Sequence, residues 1–589
     1  MKYKKKKNLP MRAIYSKNIK SSSQIQFEFE GRVLYAFPGD SIAAALTSYG
    51  IIDLRVTSSG ESRGIFCGMG VCHDCLVEID GNQNQRACMS TVKNGMRIFK
   101  QQFYGKHELN LSNQKENNNG DIKVKTPDIL IIGGGVGGMS AASIAAESGL
   151  DVILIDDRVS LGGQFSKQPT PFHASTLISK TDPQIKLGKK LIKRLSSTGV
   201  KVLNGVQIWA GLAERNVLAI IEERNILFRP RKLIVATGAY ERPIPINGWT
   251  LPGVMTTGAV QSLLKTYNVI AGKEILIAGN GPFNIQVALE LARAGASIVG
   301  ISESAYKPGF NSIGPVIEMF RGSPKLVFQG IRYIKELKEN NIPIYYNYNL
   351  SSVKQNGDGL ESTISLNSSS NRFGEKDISF KSDIVCMGYG FLPSNILLRN
   401  LGCDHIYDAL RRQLVVDRSN DFETKIPGIY AVGDCAGLGG AYAACEEGII
   451  AGIHAVLSLG IKITKKQDNE CSISRSELKK HRKFQSGFWK LYSSQLPNYL
   501  DTQQETYICR CELVTMGHIR KEIQLGCLTI GEIKQRTRAG MGRCQGRYCA
   551  SFLTEILESE THVPIDEEKF FAPRFPISPI KINEITKLQ

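Results

Sequence analysis

A chain of 589 residues is longer than one hydrophobic core can organise, so several domains are expected, and a composition of 42% hydrophobic and 22% charged residues belongs to a globular protein. No apolar run reaches the ~18–20 residues of a bilayer crossing, and the longest approach, GIIAGIHAVLSLGIKI from Gly448, reads as a buried helix. The formal net charge of +18 comes from lysines spread among Asn and Ile along the whole chain, which points to compositional bias and away from nucleic-acid binding.

Residues 1–19 form a basic arm whose MKYKKKKNLPMR lacks the apolar stretch of an export signal. A cytoplasmic location is expected, with peripheral contact to the inner membrane left open by the Lys4–Lys7 run. Fourteen cysteines in such a reducing compartment are not expected to form disulfides. Eight of them fall into two tight groups, and Cys386, Cys403, Cys435, Cys445, Cys471 and Cys527 read as buried thiols.

In chain order, IQFEFEGRVLYAF from Ile25 alternates apolar and polar residues around a Glu-Gly turn, the pattern of a hairpin, and PGDSIAAALTSYG supplies an Asp or Ser cap and an Ala-rich helix. The first cysteine group follows, then LVEIDGNQ as a strand and an Asp-Gly turn, closing a unit of residues 20–105. Residues 106–126 are polar and Asn-rich, which predicts a linker. PDILIIGGGVGGMSAASIAAESGLDVILIDD then reads strand, glycine turn, helix, strand, and a second such unit starts at KEILIAGNGPFNIQVALELARAGASIVGISE. Two βαβ starts predict a doubly wound α/β core. Charged helical sequence over 461–500 leads to the second cysteine group in 501–560, and a Pro-rich tail occupies 561–589.

Cys67, Cys72, Cys75 and Cys88 reproduce the plant-type 2Fe–2S ligand spacing, and Gly68 and Gly70 stand where the loop must wrap tightly. Zinc competes poorly with three cysteines in nine residues. The rear group, Cys509, Cys511, Cys544 and Cys549, comes as two pairs, so spacing alone leaves zinc and iron–sulfur both open. Gly133, Gly135 and Gly138 satisfy G-x-G-x-x-G between strand and helix, with Asp156 at the end of the next strand to bond a ribose hydroxyl. This fingerprint specifies an adenine nucleotide without choosing flavin or nicotinamide. The second turn keeps Gly279 and Gly281 but places Asn284 third, and counting from the glycine before each strand puts Ser302, with Glu303 next, opposite Asp156. NAD binding there is left open.

IVATGAYERPIPI at 234–246 and KIPGIYAVGDCAG at 425–437, with the two glycine turns, resemble the two-dinucleotide-domain flavoprotein reductases over residues 127–460. That resemblance implies FAD, held by 127–270 and 381–460 around a second, NAD-like fold of 271–380. It makes Asp434 a partner of the flavin ribityl chain and adds Gly163, Gln164, Thr237, Gly238 and Gly433 to the cofactor-binding positions. The redox-active Cys-x-x-Cys of disulfide reductases is absent there, which disfavours thiol–disulfide chemistry.

With both cysteine groups included, the chain is similar to the α subunits of heteromeric amine and amino-acid dehydrogenases: opine oxidase, proline and hydroxyproline dehydrogenases, hydrogen cyanide synthase, and the front portion of sarcosine oxidase α. The resemblance implies a β-grasp ferredoxin-like front domain, a Rossmann-like flavoprotein core, and a small helical 2Fe–2S domain similar to bacterioferritin-associated ferredoxin, which has Cys-x2-Cys where this chain has Cys-x4-Cys. It further implies a β subunit of the D-amino-acid-oxidase type with its own flavin, and a downstream acceptor such as a quinone, an electron-transfer protein or oxygen. NAD(P) in the second fold, or FMN at a subunit interface, remains open. The two cysteine groups are expected to flank the flavin, one-electron carriers on either side of a two-electron one. His73 is expected at the surface, and Glu446 and Glu447 as caps or solvated residues of the following helix. No acid/base constellation for substrate oxidation stands out.

Overall fold

The computed structural model describes residues 11–13, 24–102, 122–174, 176, 180–367, 377–493 and 502–586. The Lys4–Lys7 run and most of the expected linker lie outside these. Within that linker, Lys123–Lys125 is a strand paired in parallel with 226–228, because its backbone completes an edge of the four-stranded sheet beside the first nucleotide fold.

At the front, Ile25–Phe29 and Arg32–Ala36 form the expected hairpin, with Glu30 and Gly31 both at positive φ in its turn. They join Arg97–Lys100, Leu76–Ile79 and Asn82–Arg86 in a five-stranded sheet over the buried helix Ile42–Ser48. Ser41 caps that helix, its hydroxyl accepting from the Ala44 N–H. Asp40 instead pairs with Arg12 at 2.6 Å.

The first nucleotide fold is a parallel sheet ordered Lys201–Asn204, Val152–Asp156, Ile129–Ile132, Lys232–Val235, Ile429–Ala431; its edge strand Lys201–Asn204 is largely exposed, and the other four, near-continuously apolar, are buried on both faces. The second is ordered Val254–Thr256, Ile384–Gly388, Glu274–Gly279, Ser297–Glu303, Ile344–Tyr346. Its outer strand and one inner strand come from outside 271–380, so this fold borrows sequence from both flanks. Ala441–Leu457 packs on the helix Val136–Ala146, and the 27-residue connector helix Lys465–Leu491 starts at a Thr464/Gln467 capping box. The tail returns to the first fold, where the Ile577 N–H donates to the Trp209 carbonyl at 2.7 Å. Among the described residues no helix is long and apolar enough to cross a membrane.

Candidate functional site

A cavity of about 1090 Å³ runs between the two nucleotide folds and is lined by all the candidate cofactor residues except Gly138 and Gly279. That exceeds the ~300–1,000 Å³ of ordinary small-ligand pockets, as an extended dinucleotide requires. Helix Val136–Ala146 begins at Gly135 without a side-chain cap, and Gly135, Val136 and Gly137 all line the cavity, so its N-terminal N–H groups meet whatever anion lies there. Gly138 works from behind: a Cβ there would come within 1.9 Å of the Gly133 carbonyl oxygen, so only glycine lets the helix lie this close to the turn. Gly163 crosses over Gly135, and Thr237 is tied to the Ser394 carbonyl at 2.7 Å.

Asp156 ends its strand as expected. Its carboxylate accepts from the Gly134 and Arg158 N–H groups at 2.5 and 2.8 Å, and burial plus the charge of Asp157 pushes its pKa up to about 6. Asp434 accepts from the Gly439 and Gly440 N–H groups at 2.9 and 2.8 Å, and burial raises its pKa. Behind it, Glu447 is buried, accepting from the Gly433 N–H at 2.9 Å and pairing with Arg418 at 2.9 Å. It is no solvated helix residue; it holds the turn that presents Asp434.

In the second fold the acid position is Glu303 and not Ser302. The register between Glu274–Gly279 and Ser297–Glu303 slips by one residue after Ile275, so Val299 is bulged out and Glu303 faces Gly279. Asp156 follows Ile155, which faces Ile132, and thus meets Gly133 in the same way. Glu303 repeats the hydrogen bonding of Asp156, accepting from the Gly281 and Ala305 N–H groups, each at 2.9 Å. Asn284 replaces the third glycine by donating to the Gly388 carbonyl at 2.8 Å. The turn is also covered: the connector helix carries Phe488 over Gly281, and the Asn280 amide donates to the Tyr492 carbonyl at 3.2 Å.

In the front nest, the Met69 and Cys72 N–H groups donate to the Cys67 sulfur at 3.5 and 3.4 Å. Burial pushes this thiol up, but hydrogen bonds from Cys72 and from the backbone outweigh it and draw the pKa down to about 6. In the rear nest a hydrogen bond from Cys549, working against burial, draws Cys509 down to about 7. The thiols pair as Cys67 with Cys72, Cys75 with Cys88, Cys509 with Cys549 and Cys511 with Cys544. Among the described residues no three His, Cys, Asp or Glu side chains converge as they would around a single ion. Two pairs per nest suit a two-iron cluster, one pair for each iron, better than a zinc ion, which gathers four ligands at one centre.

The nests do not stand on opposite sides of the cavity. They are packed against each other: Arg510, between Cys509 and Cys511, pairs with Asp74 of the front loop at 2.9 Å, and both are buried. Cys67 lines the cavity and the rear cysteines do not. Three further groups were not legible as site residues in the sequence. Lys167 and Glu241 are buried in the cavity wall, and burial brings the amine down and the carboxyl up, each to about 7, so both can hold or release a proton near neutrality. His73 is half-buried in the same wall, and burial together with Arg86 lowers its pKa to about 3, so it is neutral and no surface residue.

These features define an oxidoreductase of the two-nucleotide-fold flavoprotein class with two iron–sulfur-type nests. Residues 127–448, over half of the chain, match the pyridine nucleotide-disulphide oxidoreductase family, and the chain belongs to it. Residues 22–102 match the 2Fe-2S iron-sulfur cluster binding domain, and 507–559 the BFD-like 2Fe-2S binding domain. The family implies FAD, and the two smaller domains imply iron–sulfur clusters. The chain is 28% identical to an opine oxidase subunit of Rhizobium meliloti (strain 1021), over 78% of this chain and 98% of that one. It is 29% identical to the HcnB subunit of hydrogen cyanide synthase from Pseudomonas aeruginosa, over 78% and 98%. Its fold resembles that of L-proline dehydrogenase from P. horikoshii, with a TM-score of 0.70 at 20% identity, covering 98% of this chain and 99% of that one.

Proposed function

We propose that this chain is the electron-transferring FAD and iron–sulfur subunit of a heteromeric dehydrogenase or oxidase acting on the C–N bond of a secondary amine or amino acid, such as sarcosine, proline, hydroxyproline, an opine or glycine. The observation that carries this reading is the shared cavity: Cys67 of the front nest lines the same space as Gly135 and Asp434. FAD supplies acceptance of an electron pair and its release one electron at a time. The chain's own residues do the rest. Gly133, Gly135 and the helix behind them receive the pyrophosphate, Asp156 the adenosine ribose and Asp434 the ribityl hydroxyls, while Lys167 and Glu241 supply a proton-holding wall. The eight cysteines, Cys67, Cys72, Cys75 and Cys88 with Cys509, Cys511, Cys544 and Cys549, hold two 2Fe–2S clusters. Choice of substrate belongs to a β subunit of the D-amino-acid-oxidase type.

We assign the contact with that subunit to the helical hairpin Ile313–Gly322 and Pro324–Glu339. Ile313, Ile317, Phe320, Phe328 and Ile331 are exposed along it, its other face packs on the connector helix at Gly322, and Phe328 and Arg332 also line the cavity. Purification from the native source tests the reading: a second flavoprotein should accompany this chain, with FAD, iron and sulfide present. Flavin reduction that needs both that partner and an amine supports the proposal, and a colourless or zinc-containing chain refutes it. Glu303, in the ribose-binding position of the second fold, favours a second reading, an NAD(P)H:acceptor oxidoreductase with the front nest as exit. Rapid bleaching of the isolated chain by NADH would select it, whereas Phe488 and Tyr492 over the turn weigh against it.

A further inference from the structure

The residues next to the cysteine ligands make a continuous contact between the two nests. Phe66 precedes Cys67 and Tyr548 precedes Cys549, and their rings meet edge to face at 5.7 Å between centroids. The Arg510 guanidinium lies 3.7 Å above the Phe66 ring and 4.5 Å above Trp249, donating to the Trp249 carbonyl at 2.5 Å and to Asp74 at 2.9 Å. Asp74 is held from its other side by Arg55 at 2.8 Å. A buried arginine between two aromatic faces and a twice-paired carboxylate makes a rigid clamp, because either charge left alone there would be costly. Tyr548 is 3% exposed, and among the described residues its hydroxyl has no hydrogen-bond partner. A buried O–H donor left unpaired calls for an acceptor, and the ring that carries it touches Phe66, the residue next to Cys67 of the front nest.

We propose that the two nests form one relay, joined by Phe66 and Tyr548 and clamped by Arg510–Asp74, in which Tyr548 of the rear unit donates its hydroxyl to a sulfur of the front cluster. This deepens the proposed function and rests on it. The order of transfer then runs from the cavity through the front nest, whose Cys67 lines it, to the rear nest, whose Cys511 is the one of its four cysteines that is not fully buried. Each passage moves one electron, oxidising the front centre and reducing the rear one with no bond made and no proton transferred. Two passages empty a two-electron donor in the cavity, and a one-electron acceptor docking beside Cys511 takes the electrons up.

The test is electron paramagnetic resonance of the purified full-length chain, shown to contain iron and sulfide, titrated with dithionite. Magnetic coupling is expected: the fully reduced spectrum should differ from the sum of the two singly reduced spectra, with faster relaxation. Tyr548→Phe keeps the ring, so coupling should persist while the front centre's midpoint potential moves down, since loss of a donor to cluster sulfur destabilises the reduced form. Additive spectra in the iron-loaded chain would overturn the relay while leaving the proposed function standing. An unshifted potential in Tyr548→Phe would remove the hydroxyl from it. Zinc in place of iron would end both.

Discussion

Among the described residues no cation stands beside Glu303, a carboxyl buried beneath the second glycine turn and held by two backbone N–H groups. Burial outweighs those hydrogen bonds and pushes its pKa from the ordinary 4.5 up to about 7. Between these values the folded chain keeps a proton that the unfolded chain has released, so the contribution of Glu303 to stability is fully present below pH 4.5 and is lost as pH rises through 7. At most about 3 kcal/mol is involved. Glu303→Gln should therefore flatten this part of the stability profile of the nucleotide-free chain, measured by urea denaturation at pH 5 and pH 8. An unchanged slope would mean that the carboxyl is not buried as described.

At the scale of elements, close approach of helices decides what glycine does. A Cβ on Gly448 would stand 2.2 Å from the Gly137 carbonyl oxygen, so Ala441–Leu457 can lie on Val136–Ala146 only because that position is bare. Gly448→Ala should cost about 1–3 kcal/mol by overpacking and tilt the helix whose N-terminus faces the cavity. Purified variant should therefore contain less flavin than wild type, and full flavin content at an unchanged melting temperature would contradict this packing. The exposed hairpin presents the opposite case, an apolar stripe left uncovered among the described residues. Ile317→Asp combined with Phe320→Asp, both exposed on the hairpin and outside the cavity lining, should leave flavin and iron content intact and abolish co-purification of the partner subunit.

Across the whole molecule, Trp249 links three parts. It is 1% exposed, stacks edge to face on Phe66 of the front loop and Phe552 of the rear domain, and donates its indole N–H to the Tyr507 carbonyl at 2.8 Å. The front cysteine loop, the second nucleotide fold and the rear domain thus share one hydrophobic core. Trp249→Ala should cost about 3–5 kcal/mol and lower the melting of both cysteine-bearing units together. Separate transitions in calorimetry, with only one of them shifted, would show that the two units fold independently.

Local signals in the sequence determined the hairpins, the two glycine turns, both cysteine groups and hence the class of the protein, because each depends on residues within a few tens of positions of one another. Asp156 was legible because its strand is regular, so counting along it keeps register. Glu303 was not, because a one-residue bulge at Val299 is set by pairing with a neighbouring strand and leaves no mark in spacing. The same limit hid Lys167, Glu241 and the buried role of Glu447, whose environments are made by segments far away along the chain. Only the tertiary structure decided that the two cysteine nests, more than 400 residues apart in the sequence, face each other across Arg510 and Asp74. Contacts between distant segments depend on how whole domains pack, and no periodicity or motif encodes that.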